Sequence, residues 1–314
     1  MSRYLVTGAG GFAGKHLVRG LLKDGHEVTG LVRKPGSLGI EGAAEVVCDL
    51  ADEAATQQAV LDAAPEGIFH LAAPEVSPGH SWEDPGAAVT GNVGTTRSVL
   101  EGAAALDPKP RVLLVSSGGV YGGVPEDRQP IAETEHLNPN DPYGESKARC
   151  EELARWFGDK RGLPVIIARS FNHTGPGQRG GFALPDFATQ IAEIEARGSG
   201  EISVGNLDAA RDFLDVRDVA DAYRILMERG VPGEAYNVAS GEAHSIGHLL
   251  EAMLETSPAT INVVVDEDRL RPSDTPRVEG DAAKLRALGW EPAIPIEQTL
   301  KELLESARNT YGKS

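Results

Sequence analysis

An α/β fold built on a doubly wound parallel sheet is predicted by two features of this 314-residue sequence. Short runs of strand-forming residues alternate with amphipathic stretches through residues 1–170, which is the pattern of a parallel sheet covered by helices. A turn with repeated glycines, TGAGGFAG at 7–14, follows the first of these runs, and this placement between a strand and a helix is typical of a dinucleotide-binding βαβ unit. We therefore expect a Rossmann domain over residues 1–170 and a smaller α/β substrate domain over residues 171–314.

The elements of the first region follow in order along the chain. Apolar runs predict strands at residues 4–6, 28–32, 45–48, 68–71, 112–115 and 165–168. Amphipathic stretches between them predict helices at residues 15–23, 53–64, 85–106 and 142–161. Beyond residue 170 the sequence changes to loops rich in Gly and Pro and to shorter elements. We expect this second part to pack on the first and to return some segments to it.

Composition narrows the classes of partner and the compartment. The formal net charge of -17 would repel nucleic acids and anionic membranes, so an anionic ligand needs a local basic cluster. No segment approaches the roughly 20 apolar residues that span a bilayer. The residues before the first strand do not show the pattern of a signal peptide, in which a charged stretch is followed by an apolar one. Cys48 and Cys150 lack metal-ligand spacing and suit free thiols in a reducing compartment. We expect a cytoplasmic protein without a metal, nucleic-acid or membrane partner.

The glycine turn is predicted to hold the pyrophosphate of a dinucleotide. Its glycines recur at three-residue spacing, and residues without a Cβ let the backbone approach a phosphate closely. The helix that follows presents unpaired N–H groups and the positive end of its dipole. The cofactor-binding residues predicted here are Gly8, Gly11, Phe12, Ala13 and Gly14.

Residues after the later strands indicate which dinucleotide binds. A ribose with a free 2′-hydroxyl is normally held by Asp or Glu after the second strand, whereas a 2′-phosphate needs a cation. Arg33 and Lys34 occupy that place, and the next carboxylate is Glu41, which favours NADP over NAD. Topology alone places two further segments at the cofactor, Asp49 and Leu50 after the third strand and Leu71, Ala72 and Ala73 after the fourth.

The chemistry is predicted by the segment DPYGESK at 141–147. Asp141 is a good N-cap and Pro142 a good first helical residue. Tyr143 and Lys147, four residues apart, therefore share one face of a helix. A free tyrosine has a pKa of about 10, and a neighbouring ammonium group favours its phenolate, so this tyrosine can exchange a proton with a carbonyl or alcohol oxygen. The hydroxyls of SSGGVYG at 116–122 are expected at the carboxyl end of the fifth strand, where ligands bind in open α/β sheets.

Together these motifs resemble the extended short-chain dehydrogenase/reductase family, in its nucleotide-sugar branch. The resemblance covers nearly the whole chain and is carried by TGAGGFAGKHL at 7–17, HLAA at 70–73, SSGGVYG at 116–122, YGESK at 143–147 and LGW at 288–290. Alignment on VYG implies that the active-site hydroxyl is Ser117. It also implies that Tyr143 and Lys147 complete the catalytic set and contact the cofactor.

The residues after Ser117 and after the second strand distinguish three reactions of this family. Family 4,6-dehydratases usually carry an acid and a base, Asp-Glu, directly after the hydroxyl residue, whereas this chain has Gly118 and Gly119, which cannot move a proton. Family 4-epimerases commonly use NAD with an acidic residue after the second strand, which the basic pair speaks against. A ketoreductase needs only hydride and the Ser-Tyr-Lys set. We therefore expect NADPH-dependent reduction of a nucleotide-linked 4-keto-6-deoxyhexose, with an epimerase, a dehydratase and a catalytically silent NADP(H)-binding regulator as alternatives.

The second half resembles enzymes that act on GDP-linked sugars. The runs FNHTGPGQ at 171–178, RDFLDVRDV at 211–219, YNVASG at 236–241 and the segment at 271–290 are similar to reductases of GDP-6-deoxy-4-keto-mannose and to GDP-mannose 4,6-dehydratases. The resemblance implies that Asn172, Arg211 and Arg271 approach the nucleotide diphosphate and that Asp274 meets the ribose. Arginine suits this role because its fork can bond two phosphate oxygens at once. A homodimer formed by the helices at residues 85–106 and 142–161 is also implied.

Overall fold

The architecture is that of a computed structural model, which describes residues 1–73, 84–269 and 275–311. Its strands are β1 (Arg3–Thr7), β2 (Glu27–Val32), β3 (Ala44–Val47), β4 (Gly67–His70), β5 (Arg111–Ser117), β6 (Val165–Ser170), β7 (Asn172–Thr174), β8 (Ser199–Val204), β9 (Ala210–Asp215), β10 (Ala235–Val238), β11 (Ala243–Ser245), β12 (Thr260–Val265) and β13 (Arg277–Val278). Its α-helices are α1 (Phe12–Lys23), α2 (Glu53–Ala63), α3 (Pro85–Ala105), α4 (Pro142–Arg161), α5 (Ala183–Glu195), α6 (Val216–Arg229), α7 (Ile246–Leu254), α8 (Ala283–Arg286) and α9 (Ile296–Tyr311).

A parallel sheet of seven strands forms the centre of the fold, in the order β10, β6, β5, β4, β1, β2, β3. Helices α1 and α6 cover one face of this sheet, and α2, α3 and α4 cover the other. Because both faces are covered, every residue of β4 and β6 is buried. The strand order reverses between β1 and β4, and ligands of such sheets bind at the carboxyl ends of the strands beside that reversal. The predicted doubly wound α/β fold is confirmed.

Strand and helix positions in the first region agree closely with the sequence pattern. The six predicted strands coincide with β1 to β6, and the four predicted helices with α1 to α4, apart from residues at their ends. Helix α1 begins at Phe12, earlier than predicted, so that Gly14 lies in its first turn. Strand β5 extends through Ser117 because Ser116 and Ser117 pair with Arg169 and Ser170 of β6.

Elements of the second half build a smaller cluster and add one strand to the central sheet. Strand β10 pairs with β6, whereas β7, β9, β11 and β13 form a separate sheet and β8 pairs with β12. A third apolar cluster joins α5, α7 and α9 to β8. The domain boundary at residue 170 stays a prediction.

Helix α4 begins where the sequence predicts, for the expected reason. The Asp141 carboxylate accepts a hydrogen bond from the Gly144 N–H at 2.8 Å, and Pro142 lies in the first turn. The helix ends at Gly162, whose φ of 64° lies in the left-handed region that glycine tolerates. Both ends are therefore capped, and the helix packs against β5 and β6.

Within the described residues, no helix combines the length and the apolar character needed to cross a bilayer. Cys48 and Cys150 are both buried free thiols.

Candidate active site

The glycine turn connects β1 to α1 at the carboxyl end of the sheet. A Cβ on Gly14 would lie 2.2 Å from the Gly8 carbonyl oxygen, and a Cβ on Gly8, whose φ is +68°, would lie 2.9 Å from the backbone N of Ala72. Neither position tolerates a side chain. The turn therefore presents bare backbone in front of the N-terminus of α1, where Gly11, Phe12 and Ala13 lie. This arrangement fits the pyrophosphate of a dinucleotide.

The basic pair follows β2 in a loop that folds toward the glycine turn. Arg33 and Lys34 are both exposed. The Ser37 hydroxyl donates a hydrogen bond to the Lys34 carbonyl oxygen at 2.6 Å. The same hydroxyl oxygen would lie 3.0 Å from a Cβ on Gly10, so the loop contacts the glycine turn directly. The loop therefore places two cationic side chains close to the predicted pyrophosphate site.

A carboxylate reaches this loop, but it is used by the loop backbone. Glu45 of β3 accepts hydrogen bonds from the N–H of Gly36 at 2.6 Å and from the N–H of Leu38 at 2.9 Å. Each of its two oxygens therefore has a backbone donor. Glu45 therefore stabilises the shape of the loop.

The remaining residues predicted at the cofactor follow β3 and β4. Asp49 is exposed, and its carboxylate accepts a hydrogen bond from the Ala51 N–H at 3.1 Å. Leu50 is buried in the apolar core, so its side chain is not available on the surface. Leu71 and Ala72 are half-buried, and Ala73 is exposed. Contact between Ala72 and Gly8 brings this segment next to the glycine turn.

The three candidate catalytic residues lie on α4 and at the end of β5. Lys147 is almost completely buried, and its ammonium group donates a hydrogen bond to the Val115 carbonyl oxygen at 3.0 Å. The Lys147 Nζ lies 5.8 Å from the centre of the Tyr143 ring. The Tyr143 hydroxyl has no hydrogen-bond partner among the described residues. The predicted Tyr-Lys pair is thus formed, with the tyrosine hydroxyl available to a ligand.

The serine hydroxyl is oriented by the turn that follows β5. Ser117 Oγ accepts a hydrogen bond from the Gly119 N–H at 3.0 Å, which leaves its O–H to donate elsewhere. A Cβ on Gly118 would lie 3.3 Å from three ring atoms of Phe171, and a Cβ on Gly119 would lie 3.3 Å from Ser117 Oγ. Side chains at these two positions would crowd the site. The space beside Ser117 therefore suits glycine.

Two residues predicted at the nucleotide sugar, Asn172 and Arg211, lie on β7 and β9, which pair in parallel. Asn172 is exposed, and Arg211 is half-buried. The Arg211 guanidinium donates a hydrogen bond to the Thr275 carbonyl oxygen at 2.7 Å. Arg271 and Asp274 lie outside the described residues. Thr275 follows Asp274 directly in the chain, so Arg211 contacts the end of the segment that contains both.

Two further polar residues, Asn92 and His173, lie near the site. Asn92 of α3 is buried and donates a hydrogen bond to the Ser146 hydroxyl at 2.7 Å, while its Oδ1 has no partner among the described residues. An unpaired buried acceptor is costly unless a ligand donates to it, so Asn92 is a candidate ligand-binding residue. His173 stacks on Phe12 with the ring centres 6.2 Å apart, which places it beside the start of α1. In the sequence, the signal at Asn92 is weak: it is an amide side chain within a helix of mostly small residues.

His70, at the end of β4, lies in the polar contacts behind the candidate site. It is fully buried between the hydroxyls of Thr7, at 2.8 Å from Nδ1, and Thr96, at 3.1 Å from Nε2. Burial lowers the pKa of His70 to about 3, and the nearby Lys147 charge acts in the same direction. The imidazole is therefore neutral in the folded protein at neutral pH.

Acid sensitivity is the expected consequence of this histidine. Its pKa is lower in the folded protein than in the unfolded chain, so the unfolded chain binds more protons below about pH 6.5 and stability falls as the pH drops toward 3. Between pH 7 and pH 5, His70 should lower the free energy of unfolding by about 2 kcal/mol. Urea unfolding of wild type and His70→Gln at both pH values measures this contribution. The same pH dependence in both proteins would contradict a neutral buried His70.

The chain is similar to known proteins over nearly its whole length. Residues 5–303 match the model of a family described as GDP-mannose 4,6 dehydratase. GDP-6-deoxy-D-mannose reductase of Pseudomonas aeruginosa is 35% identical over 312 residues, which cover 96% of each chain. A dTDP-glucose 4,6-dehydratase of Xanthomonas campestris is 30% identical, covering 97% of this chain and 93% of the relative.

Solved structures show the same similarity over the full length. RMD from Pseudomonas aeruginosa, complexed with NADPH, superposes with a TM-score of 0.85 at 33% identity and covers 99% of this chain and 100% of its own. A UDP-glucose 4-epimerase of Thermotoga maritima with UDP-glucose superposes with a TM-score of 0.89 at 28% identity, covering 98% and 99% of the two chains. The relatives thus include a reductase, a dehydratase and an epimerase on one fold.

Proposed function

Because the chain belongs to the GDP-mannose 4,6 dehydratase family, in the nucleotide-sugar branch of the extended short-chain dehydrogenases/reductases, we propose that it is an NADPH-dependent ketoreductase. Its substrate is a GDP-linked 4-keto-6-deoxyhexose, and the ketone reduced is at C4. The similarity to GDP-6-deoxy-D-mannose reductase and to the NADPH complex of RMD supports both the reaction and the cofactor.

The observation that carries this choice of reaction is the pair of glycines beside Ser117. Removal of water from a hexose needs an acid and a base in addition to hydride transfer. Gly118 and Gly119 supply neither, and side chains there would lie in tight contact with the Phe171 ring and the Ser117 hydroxyl. Reduction needs only the groups that the site retains. A family model named for dehydratases therefore includes a chain whose site favours reduction.

Each candidate catalytic residue has one task in the proposed reaction. When bound, NADPH supplies the hydride. Ser117 donates its O–H to the carbonyl oxygen of the substrate, since the Gly119 N–H uses the hydroxyl only as an acceptor and leaves its hydrogen available. Tyr143 gives its phenolic proton to the same oxygen as the alcohol forms. Lys147, fixed by the Val115 carbonyl oxygen, supports the tyrosine with its positive charge.

A panel of substrates tests the proposed function. The protein is mixed with NADPH and with GDP-, dTDP-, UDP- or CDP-linked 4-keto-6-deoxy sugars, and the products are identified by mass spectrometry. GDP-4-keto-6-deoxy-mannose should gain two hydrogens as NADPH is consumed. GDP-mannose with NADP should remain unchanged in a parallel reaction. If GDP-mannose loses water, the protein is a dehydratase and not a reductase. If no sugar is turned over, the result favours the NADP(H)-binding regulator.

Asn172, Arg211, Arg271 and Asp274 are proposed to hold the nucleotide part of the substrate. Charge-assisted bonds from an arginine to a diphosphate contribute roughly 1.5 to 3 kcal/mol each. Arg211→Ala or Arg271→Ala should therefore raise the dissociation constant of the GDP-sugar about ten- to a hundredfold and leave that of NADPH unchanged. Isothermal titration with each ligand measures both constants.

A matched control for Arg211 is Arg277, on the neighbouring strand β13. Arg277 pairs in register with Ala210, one residue before Arg211, so the two arginines point to opposite faces of this sheet. Arg277→Ala should leave GDP-sugar affinity unchanged. If Arg211→Ala lowers the affinity for NADPH alone, Arg211 belongs to the cofactor pocket and not to the nucleotide-sugar site.

The protein is also proposed to act as a cytoplasmic homodimer through α3 and α4. The two helices pack side by side, and Trp156 of α4 leaves 48% of its surface exposed. A shallow depression of about 390 Å³ lies on the same pair of helices, lined by Val89, Thr90, Val93, Gly94, Arg97 and Arg149. An apolar patch of this kind is typical of subunit contacts. The buried free thiols and the use of NADPH support the compartment.

Sedimentation at micromolar concentration tests the dimer. Wild type should sediment as a dimer, and Trp156→Glu should shift the equilibrium toward the monomer because it places a charge in the apolar contact. Val263→Glu, which changes another exposed apolar residue to an acid on β12, should remain dimeric. A monomeric wild type would refute this assembly.

A further inference from the structure

Glu151 of α4 is a charged residue that the proposed reaction does not use, although it is completely buried. Its carboxylate accepts a hydrogen bond from the Ser116 hydroxyl at 2.7 Å. Arg169 of β6, also buried, donates to both carboxylate oxygens, from Nε to Oε1 at 3.0 Å and from Nη2 to Oε2 at 2.8 Å. Arg155 adds a contact from one turn further along α4, from Nη2 to Oε2 at 2.9 Å. A buried carboxylate with this many donors is a fixed point in the structure.

This fixed point lies in line with the candidate catalytic residues of α4. Tyr143, Lys147 and Glu151 follow one another at four-residue spacing and share one face of the helix. Lys147 bonds the Val115 carbonyl oxygen, and Glu151 bonds the side chain of the next residue, Ser116. Two consecutive residues of β5 are thus tied to two consecutive turns of α4. The residue that follows them on β5 is the candidate catalytic serine.

Arg169 extends the same contacts to the other side of that serine. Its Nη1 donates a hydrogen bond to the Tyr121 hydroxyl at 2.9 Å, and the Tyr121 hydroxyl donates to Asn237 Oδ1 at 2.7 Å. Tyr121 ends the short turn whose Gly119 N–H orients the Ser117 hydroxyl. Residues on both sides of Ser117 are therefore held by the Glu151–Arg169 pair.

Stability alone is a poor explanation for this arrangement. The cost of removing two charges from water often equals or exceeds their attraction, and apolar residues of similar volume are frequently as stable. Hydrogen bonds between charged groups, in contrast, have narrow geometry and define one relative position of the elements they join. What this pair provides beyond apolar packing is therefore a defined register between α4 and β5.

We propose that Glu151 is a positioning residue: with Ser116 and Arg169 it fixes the helix that carries Tyr143 and Lys147 against the strand end that carries Ser117. The inference rests on the proposed function in that it gives these three side chains a common task. A proton donor and a hydrogen-bond donor must meet the same substrate oxygen, and misplacement by about 1 Å can cost a hundredfold in rate. The carboxylate does not touch the substrate itself.

Glu151→Gln removes the charge with almost no change in shape. Its kcat, expressed per NADPH-binding site from titration, should fall about ten- to a hundredfold, while the dissociation constant of NADPH and the KM of the keto sugar stay near those of wild type. Ser116→Ala keeps the Glu151–Arg169 pair, and it is the second variant in case Glu151→Gln does not fold. It should show a smaller fall of kcat of the same kind. In the ligand-free protein, hydrogen exchange of residues 115–122 should be faster in both variants.

Glu195→Gln is the matched control, since Glu195 of α5 pairs with Arg308 of α9 at 2.6 Å, away from α4 and β5. This variant also loses one ion pair. Its kcat per NADPH-binding site and its hydrogen exchange at residues 115–122 should nevertheless equal those of wild type. Unchanged kcat and exchange in the Glu151 and Ser116 variants, or the same losses in the Glu195 variant, would overturn the positioning role. A wild type that reduces no keto sugar would instead refute the proposed function, and the exchange measurement would still decide whether Glu151 fixes the turn.

Discussion

Replacing Tyr143 with phenylalanine is expected to lower kcat by about a hundredfold or more with little change in the affinity for NADPH. The change deletes one oxygen atom, which is the proposed proton donor. Because the Tyr143 hydroxyl bonds none of the described residues, its removal breaks no contact within them. The ring remains next to Lys147, 5.8 Å from Nζ. Steady-state reduction of GDP-4-keto-6-deoxy-mannose and fluorescence titration of NADPH measure the two effects.

Tyr4→Phe is a control that deletes the same atom elsewhere. Tyr4 lies near the start of β1, at the end of the sheet opposite the glycine turn, and its loss should leave kcat unchanged. A Tyr143→Phe variant with nearly full activity would remove Tyr143 from the chemistry. If the variant loses NADPH binding to the same degree as turnover, the Tyr143 hydroxyl acts in holding the cofactor and not as the proton donor.

Local patterns in the sequence were sufficient for the first half of the fold. Strands β1 to β6 are apolar runs bounded by glycines or polar residues, and α4 has a capping aspartate and a proline at its start, so each element is specified by neighbouring residues. The four-residue spacing of Tyr143 and Lys147 likewise defines a shared helix face without knowledge of the fold. The end of β5 was missed because Ser116 and Ser117 carry no apolar signal. Their strand pairing depends on β6, about 50 residues later.

Long-range contacts could not be predicted from such patterns. Two partners of Glu151 lie far from it in the chain, Ser116, 35 residues earlier, and Arg169, 18 residues later, and such a buried contact leaves no periodic trace in the sequence. Glu45 and the loop it holds illustrate the same point, since only the structure shows that this carboxylate bonds backbone N–H groups. In the second half, β9 pairs with strands that lie both before and after it in the chain. Short elements of this kind are defined by their neighbours in space.

Arg33→Ala is expected to raise the dissociation constant of NADPH about ten- to a hundredfold and to leave that of NADH nearly unchanged. The 2′-phosphate is the only group that distinguishes the two cofactors, and a charge-assisted contact to it contributes roughly 1.5 to 3 kcal/mol. Arg33 and Lys34 follow β2 in a loop that contacts the glycine turn through Ser37. Glu45, a carboxylate of the described residues that reaches this loop, accepts hydrogen bonds from the backbone of the loop itself. Fluorescence titration with NADPH and NADH measures all four constants.

Arg19→Ala separates a specific contact from a general effect of charge. Arg19 is also exposed, and it lies on α1, so its loss changes the net charge by the same amount without touching the loop after β2. If long-range attraction to an anionic cofactor explained the effect of Arg33→Ala, both variants would lower the affinity for NADPH by similar amounts. Added salt would then abolish the difference in affinity from wild type. If Arg33 contacts the 2′-phosphate, the affinity for NADPH falls in Arg33→Ala and not in Arg19→Ala. Equal affinity of wild type for NADPH and NADH, or an equal loss of both in Arg33→Ala, would refute the assignment of Arg33.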